Sequence, residues 1–100
     1  MMPQFILLCR DKPDALALRM ATRPAHLEYF HGYGNKLLLA GPMLDAEGKP
    51  KGSMIVIEAA DEAEAREIAA NDPYGKAGLF AKTEIMPFRI VTGSLAPTAS

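Results

Sequence analysis

The chain is poor in cysteine. Cys9 stands alone among 100 residues, so no internal disulfide can form, and a reducing, cytoplasmic setting is the expectation. It lies in the apolar run Phe5-Ile6-Leu7-Leu8-Cys9, where it reads as a small inert core residue and not as a nucleophile. A dominant charge sign is missing too. Lys+Arg 11 against Asp+Glu 12 gives a net charge of -1, and no basic cluster with interleaved aromatics marks a nucleic-acid footprint. No apolar run approaches the ~20 residues that cross a bilayer, so no membrane association is expected. Met1-Met2-Pro3-Gln4 lacks the basic-then-apolar opening of a secretory signal. His26 and His31, five residues apart, fall on different faces of a helix, and no Cys or His cluster has zinc spacing, so no metal is expected. Without a G-x-G-x-x-G or phosphate-loop pattern, no nucleotide cofactor is expected either. There is no internal repeat and no linker.

What remains is an ordinary globular composition, 49% hydrophobic and 23% charged. A chain of this length makes one domain, burying roughly 60–70% of its unfolded surface. Phe5 to Cys9 reads as a central strand with both faces apolar and covered. A helix is expected from Asp14 to Met20, opened by Asp11 and Pro13, and a second from Pro24, because proline belongs in a first turn and not in a helix interior. Leu27, Phe30 and Tyr33 would form the core stripe of that second helix, and Gly32-Tyr33-Gly34-Asn35 would end it. Lys36 to Pro42 is the second strand, closed by its proline, and 45–52 is a polar hairpin loop. Ser53 to Glu58 is the third strand, rich in β-branched residues. Asp61 with Glu64 three positions on has capping-box spacing for a helix reaching about Asn71, with Ala65, Ile68 and Ala69 inward. Phe80 to Val91 is the fourth strand. The domain is thus expected over residues 1–92, followed by a flexible tail over 93–100.

The order βαββαβ is the split βαβ arrangement of ferredoxin-like α+β folds. An antiparallel sheet of order 4-1-3-2 makes strands two and four the edges, and these are the strands that carry Pro42 and Pro87. With two helices on one sheet face, the opposite face keeps apolar residues from strands one and three uncovered. That predicts a homodimer joined sheet to sheet, an assembly of the dimeric α/β-barrel type.

Asp72-Pro73-Tyr74-Gly75 is the corner around which a site can be imagined. Proline pushes Asp72 toward extended backbone and turns its carboxylate off the preceding helix, where it could line a pocket. Read alone, the same four residues are a helix stop and a turn. His26, in the first turn of the helix opened by Pro24, would feel the positive end of the backbone dipole, which opposes an imidazolium. Such a ring can take up a proton once a carboxylate fixes its tautomer, or it can be a helix histidine without a task. Arg23 could hold an anion or be solvated. Ser53 could donate to a ligand, and Gly41-Pro42 could let one approach the backbone.

Taken together, Arg23-x-x-His26-Leu27, Gly41-Pro42, Gly48 to Gly52-Ser53, and Asp72-Pro73-Tyr74 with Ala77-Gly78-Leu79-Phe80 resemble the YciI (YCII-related) family from about Phe5 to Phe88. The resemblance implies a ferredoxin-like subunit that dimerises through its sheet, and a pocket where a histidine and an aspartate form a catalytic dyad, here His26 and Asp72. One branch of the family is a dehydrochlorinase acting on a chlorinated hydroxyhydroquinone, in which a serine also counts as catalytic; Ser53 is the corresponding residue here. Arg23, Gly41, Pro42 and Tyr74 would contact the substrate. The resemblance does not reach the tail after Gly93. The expected function is a cofactor-free lyase- or isomerase-like enzyme acting on a small organic molecule, cyclic or phenolic in kind. The alternatives are a dimeric small-molecule-binding module without turnover, and a His26–Asp72 contact that only ties the fold together.

Overall fold

The computed structural model describes residues 2–96. The elements are β1 (Gln4–Asp11), α1 (Leu16–His31), a single 3-10 turn (Gly34–Lys36), β2 (Leu37–Leu44), β3 (Pro50–Glu58), α2 (Glu62–Asn71), α3 (Pro73–Lys76) and β4 (Phe80–Phe88). The sheet order is β2-β3-β1-β4 and each neighbouring pair is antiparallel. This is the expected 4-1-3-2 order counted from the other edge, a ferredoxin-like α+β architecture. Of the tail expected over 93–100, residues 97–100 lie outside the described residues; 93–96 form a turn in which Ala96 N–H donates to Gly93 O at 3.0 Å. Among the described residues no helix is long and apolar enough to cross a membrane.

Alternation along the strands sorts the side chains. Phe5, Leu7 and Cys9 of β1 point inward with Ile55 and Ile57 of β3 and Ile85 of β4, and Phe30 of α1 and Ala65, Ile68 and Ala69 of α2 close over them. The opposite face carries Ile6, Leu8 and Met54, all half-buried, beside Met86 and Phe88, which are 37% and 43% exposed. Within one chain, then, β1 is covered on one face only and not on both.

Several boundaries differ from expectation. The stretch from Leu16 to His31 is one helix with Pro24 inside it, not two. Proline forfeits one i→i−4 hydrogen bond, but Pro24 is exposed, so water can serve the freed carbonyl. The buried residues Arg19, His26 and Phe30, spaced by seven and four, form a single stripe that packs both halves of the helix on one body. Two consequences follow. His26 lies mid-helix and not in a first turn, so the dipole argument does not apply to it. Leu27 is one position off the stripe and 37% exposed, while Tyr33 packs only at the core's margin. The start also shifts: Asp14 takes left-handed backbone (φ 56°), and the helix begins at Leu16 instead of Asp14. Pro42 sits within β2 opposite Ser53 and does not close the strand; β3 begins at Pro50, which shortens the hairpin loop, and β4 ends at Phe88 instead of Val91.

The α2 start behaves as its spacing predicts. Glu64 N–H donates to Asp61 Oδ1 at 2.8 Å, and Glu64 Oε1 accepts from Ala60 N–H at 2.9 Å. After Asn71 the backbone of Asp72 is extended (φ −56°, ψ 130°), as the following proline requires. The chain then makes the short α3, which crosses so close to the end of α2 that a Cβ on Gly75 would stand 2.8 Å from Ala69 O.

Candidate active site

A cavity of about 380 Å³ opens between α1 and the β2–β3 hairpin. Helix α1 supplies Arg19, Met20, Arg23, His26 and Leu27 to its wall; β2 supplies Ala40, Gly41 and Pro42; β3 supplies Pro50 and Ser53; and α3 supplies Tyr74. Of the residues singled out from the sequence, Arg23, His26, Gly41, Pro42, Ser53 and Tyr74 therefore surround one hollow. Asp72 does not line it. Fully enclosed, it stands behind His26 and not in the wall.

Asp72 owes its position to the corner between α2 and α3. Its Oδ1 accepts from Tyr74 N–H at 3.0 Å, capping α3, and meets His26 Nδ1 at 2.8 Å across 46 residues of sequence. A carboxylate has no proton to give, so Nδ1 carries the hydrogen and donates it. That leaves Nε2 as the ring nitrogen without a protein partner among the described residues, on a ring that forms part of the cavity wall. The imidazole stacks on Tyr74 at 4.0 Å between centroids and meets Phe30 edge-on at 5.1 Å. Asp72 Oδ2 is buried with no hydrogen-bond partner among the described residues, so the compensation of this carboxylate rests on His26 and one backbone N–H.

Two further residues, Arg19 and Asp11, complete the arrangement, and neither was expected at the site; Asp11 was expected to open a helix but is the last residue of β1. Arg19 is 4% exposed; its Nε–H donates to Asp11 Oδ2 at 2.6 Å, and Nη2 donates to Asp11 Oδ1 at 2.9 Å and to Ser53 Oγ at 2.8 Å. Its Cζ lies 4.6 Å from the centre of the Tyr74 ring. Burial works against this cation, but the Asp11 carboxylate, by hydrogen bond and by charge, outweighs it and holds Arg19 above its ordinary value. Burial pushes the Tyr74 phenol up, with the Arg19 cation pulling the other way. A signal for both residues was present: Asp11 continues the inward alternation of Phe5, Leu7 and Cys9, and Arg19 is seven positions before His26 on the same helical stripe.

The wall thus carries Arg19, Arg23 and His26 and no carboxylate. Its apolar parts are Met20, Leu27, Ala40, Pro42 and Pro50. Cys9 is 1% exposed and burial pushes its thiol up to about 11, which leaves it inert. Among the described residues no group of His, Cys, Asp and Glu could hold a metal ion.

A family model for the YCII-related domain matches residues 3–89. The chain belongs to the YCII-related family. This YCII-related protein is 32% identical over 96 residues to protein YciI of Escherichia coli O6:H1, a match covering 87% of this chain and 97% of that one. It is 40% identical over 74 residues to the "derivative of benzaldehyde biosynthesis cluster protein C" of Emericella nidulans, covering 65% of this chain and 76% of that one. Among solved structures it is similar to 5-chloro-2-hydroxyhydroquinone dehydrochlorinase (TftG) from Burkholderia phenoliruptrix AC1100, in complex with 2,5-dihydroxybenzoquinone. There the TM-score is 0.79 at 31% identity, over 94% of this YCII-related chain and 99% of the other.

Proposed function

We propose that the chain is a small acid–base enzyme of lyase or isomerase type that acts on a cyclic phenolic or enolic molecule, with His26 and Asp72 as its dyad. The observation that carries the reading is the buried 2.8 Å His26–Asp72 pair, whose imidazole also forms part of a cavity wall with Ser53. In this reading His26 Nε2 removes a proton from the substrate, and Asp72 holds the ring's tautomer and stabilises the imidazolium that forms. Ser53 O–H donates to the substrate oxygen on which negative charge grows, and Arg23 adds positive charge at the cavity mouth. Gly41, Pro42 and Tyr74 confine the ring. Positioned proton transfer of this kind contributes roughly 10²–10⁴-fold in rate. The dehydrochlorinase named above, and a relative in a benzaldehyde-derivative cluster, support a substrate built on an oxygenated ring. We further propose that two copies pair through the sheet face bearing Ile6, Leu8, Met54, Met86 and Phe88, since that face is apolar and uncovered in one chain.

Incubation with 5-chloro-2-hydroxyhydroquinone and unchlorinated quinols, followed by mass spectrometry and chloride release, tests the reading. Turnover lost in His26→Ala and in Asp72→Asn supports it, and undiminished turnover in either refutes the dyad. Ligand held but returned unchanged after long incubation favours a binding module instead. No binding and no turnover by the folded wild type favours a purely structural contact.

A further inference from the structure

We propose that the molecule carries a second ligand site, for a small carboxylate with an aromatic body, in the cleft between the start of β1 and the end of β4. The cleft has a volume of about 660 Å³ and is lined by Met2, Pro3, Gln4, Pro87, Phe88 and Arg89. Gln4 stands opposite Phe88 at one end of the β1–β4 pair, and Asp11 stands opposite Phe80 at the other. Seven steps of strand, roughly 20 Å, therefore separate the cleft from Asp11 and the cavity of His26. Gln4 also alternates with Ile6 and Leu8, on the sheet face turned away from the helices. The site is thus separate from the His26 cavity, and the argument for it does not depend on what that cavity does.

The residue that points to a ligand is Gln4. It is polar yet only 9% exposed, and a buried amide costs free energy unless its groups are bonded. Its Oε1 accepts from Ile90 N–H at 3.0 Å, which fixes the orientation of the amide. Nε2 is left with two hydrogens and no acceptor among the described residues. It is not sealed off, because Asp72 Oδ2 is the one fully enclosed side-chain polar atom without a partner there. The cleft that Gln4 lines is where those hydrogens find room for an acceptor. Arg89 lines the same cleft, and its guanidinium has no ion pair among the described residues. No carboxylate lines it; Glu58, opposite Gln4 on β3, lines a separate hollow beside α2. A charged donor and a neutral one, with no acceptor side chain between them, select an anion, and the planar fork of arginine matches a carboxylate. The other lining residues are apolar, and Phe88 is 43% exposed. Covering that ring favours a ligand with an aromatic body over a bare anion.

Titration of the isotope-labelled chain with benzoate, followed by NMR, tests this. Saturable shifts are expected at the Gln4 side-chain amide and at Arg89, with none at Gly41 or Tyr74 of the other cavity. Acetate has the charge without the ring, and benzamide has the ring without the charge; each is expected to bind about tenfold more weakly than benzoate. Gln4→Glu keeps an acceptor for Ile90 N–H but puts a carboxylate oxygen where the N–H donor was, so benzoate binding is expected to vanish. Arg89→Met, at an exposed position where folding is not at stake, is expected to weaken binding about tenfold. No saturable shift at millimolar benzoate overturns the proposal, and so do shifts confined to the His26 cavity. Acetate or benzamide binding as tightly as benzoate, or an unchanged affinity in Arg89→Met, overturns it as well. Should Gln4→Glu not fold, Arg89→Met and the two comparison compounds decide the matter.

Discussion

Replacing His26 by alanine should destabilise the chain far more than the loss of one polar contact would suggest. The Asp72 carboxylate is fully enclosed, its Oδ2 has no partner among the described residues, and Oδ1 is shared between His26 and a single backbone N–H. Removing the imidazole therefore strands a buried charge, a change that typically costs about 3–5 kcal/mol. The lost stacking on Tyr74 at 4.0 Å is part of the same damage. For a chain of this size, 3 kcal/mol corresponds to a melting temperature lower by roughly 12 °C or more. Urea unfolding followed by circular dichroism at low temperature would measure it, alongside Asp72→Ala and the double variant. Because the double variant removes both the charge and its partner, its loss should fall short of the sum of the singles by about 1–3 kcal/mol. A cost for His26→Ala under ~1 kcal/mol, or single losses that add to within ~0.5 kcal/mol, would refute the coupling.

Gly75→Ala should lose about 1–3 kcal/mol, because its Cβ would meet Ala69 O at 2.8 Å and force α3 off α2; an unchanged urea midpoint would contradict that packing. Native Cys9 should resist iodoacetamide at pH 8, where a buried thiol pushed up to about 11 is still protonated, and should react once the chain is unfolded in urea. Since its folded value lies above the ordinary 9.0, this thiol favours the fold below about pH 9, and that contribution is lost as pH rises toward 11. Sedimentation velocity at micromolar concentration should show a dimer for the wild type. A monomer is expected for the double variant Met86→Glu, Phe88→Glu, with little change in subunit stability because both side chains are already exposed in one chain.

The architecture was legible because it rests on rules that act over a few residues. An unbroken apolar run marked β1 as a central strand, capping spacing marked the start of α2, and Pro42 and Pro87 named the edge strands. Helix α1 was misread because the proline rule weighs one lost backbone bond, while the stripe Arg19, His26, Phe30 is anchored by contacts distant in sequence. Arg19 itself was passed over: a charged residue on a helix is usually solvated, and only the fold brings Asp11 and Ser53 beside it. The Asp72 corner followed from the proline after it, but its meeting with His26 did not. No spacing rule spans 46 residues, and that pairing came from the likeness to a family.

The guanidinium and the imidazole ride on a single rod, whereas their counterparts arrive from β1, β3 and the turn after α2. No fragment of the chain carries a working version of this hollow, so any compound seated there grips the finished tertiary structure and ignores the random coil. Occupancy at a hundred times the dissociation constant would then add about 2.7 kcal/mol to folding, enough to reveal a ligand by heating the protein against a library of metabolites.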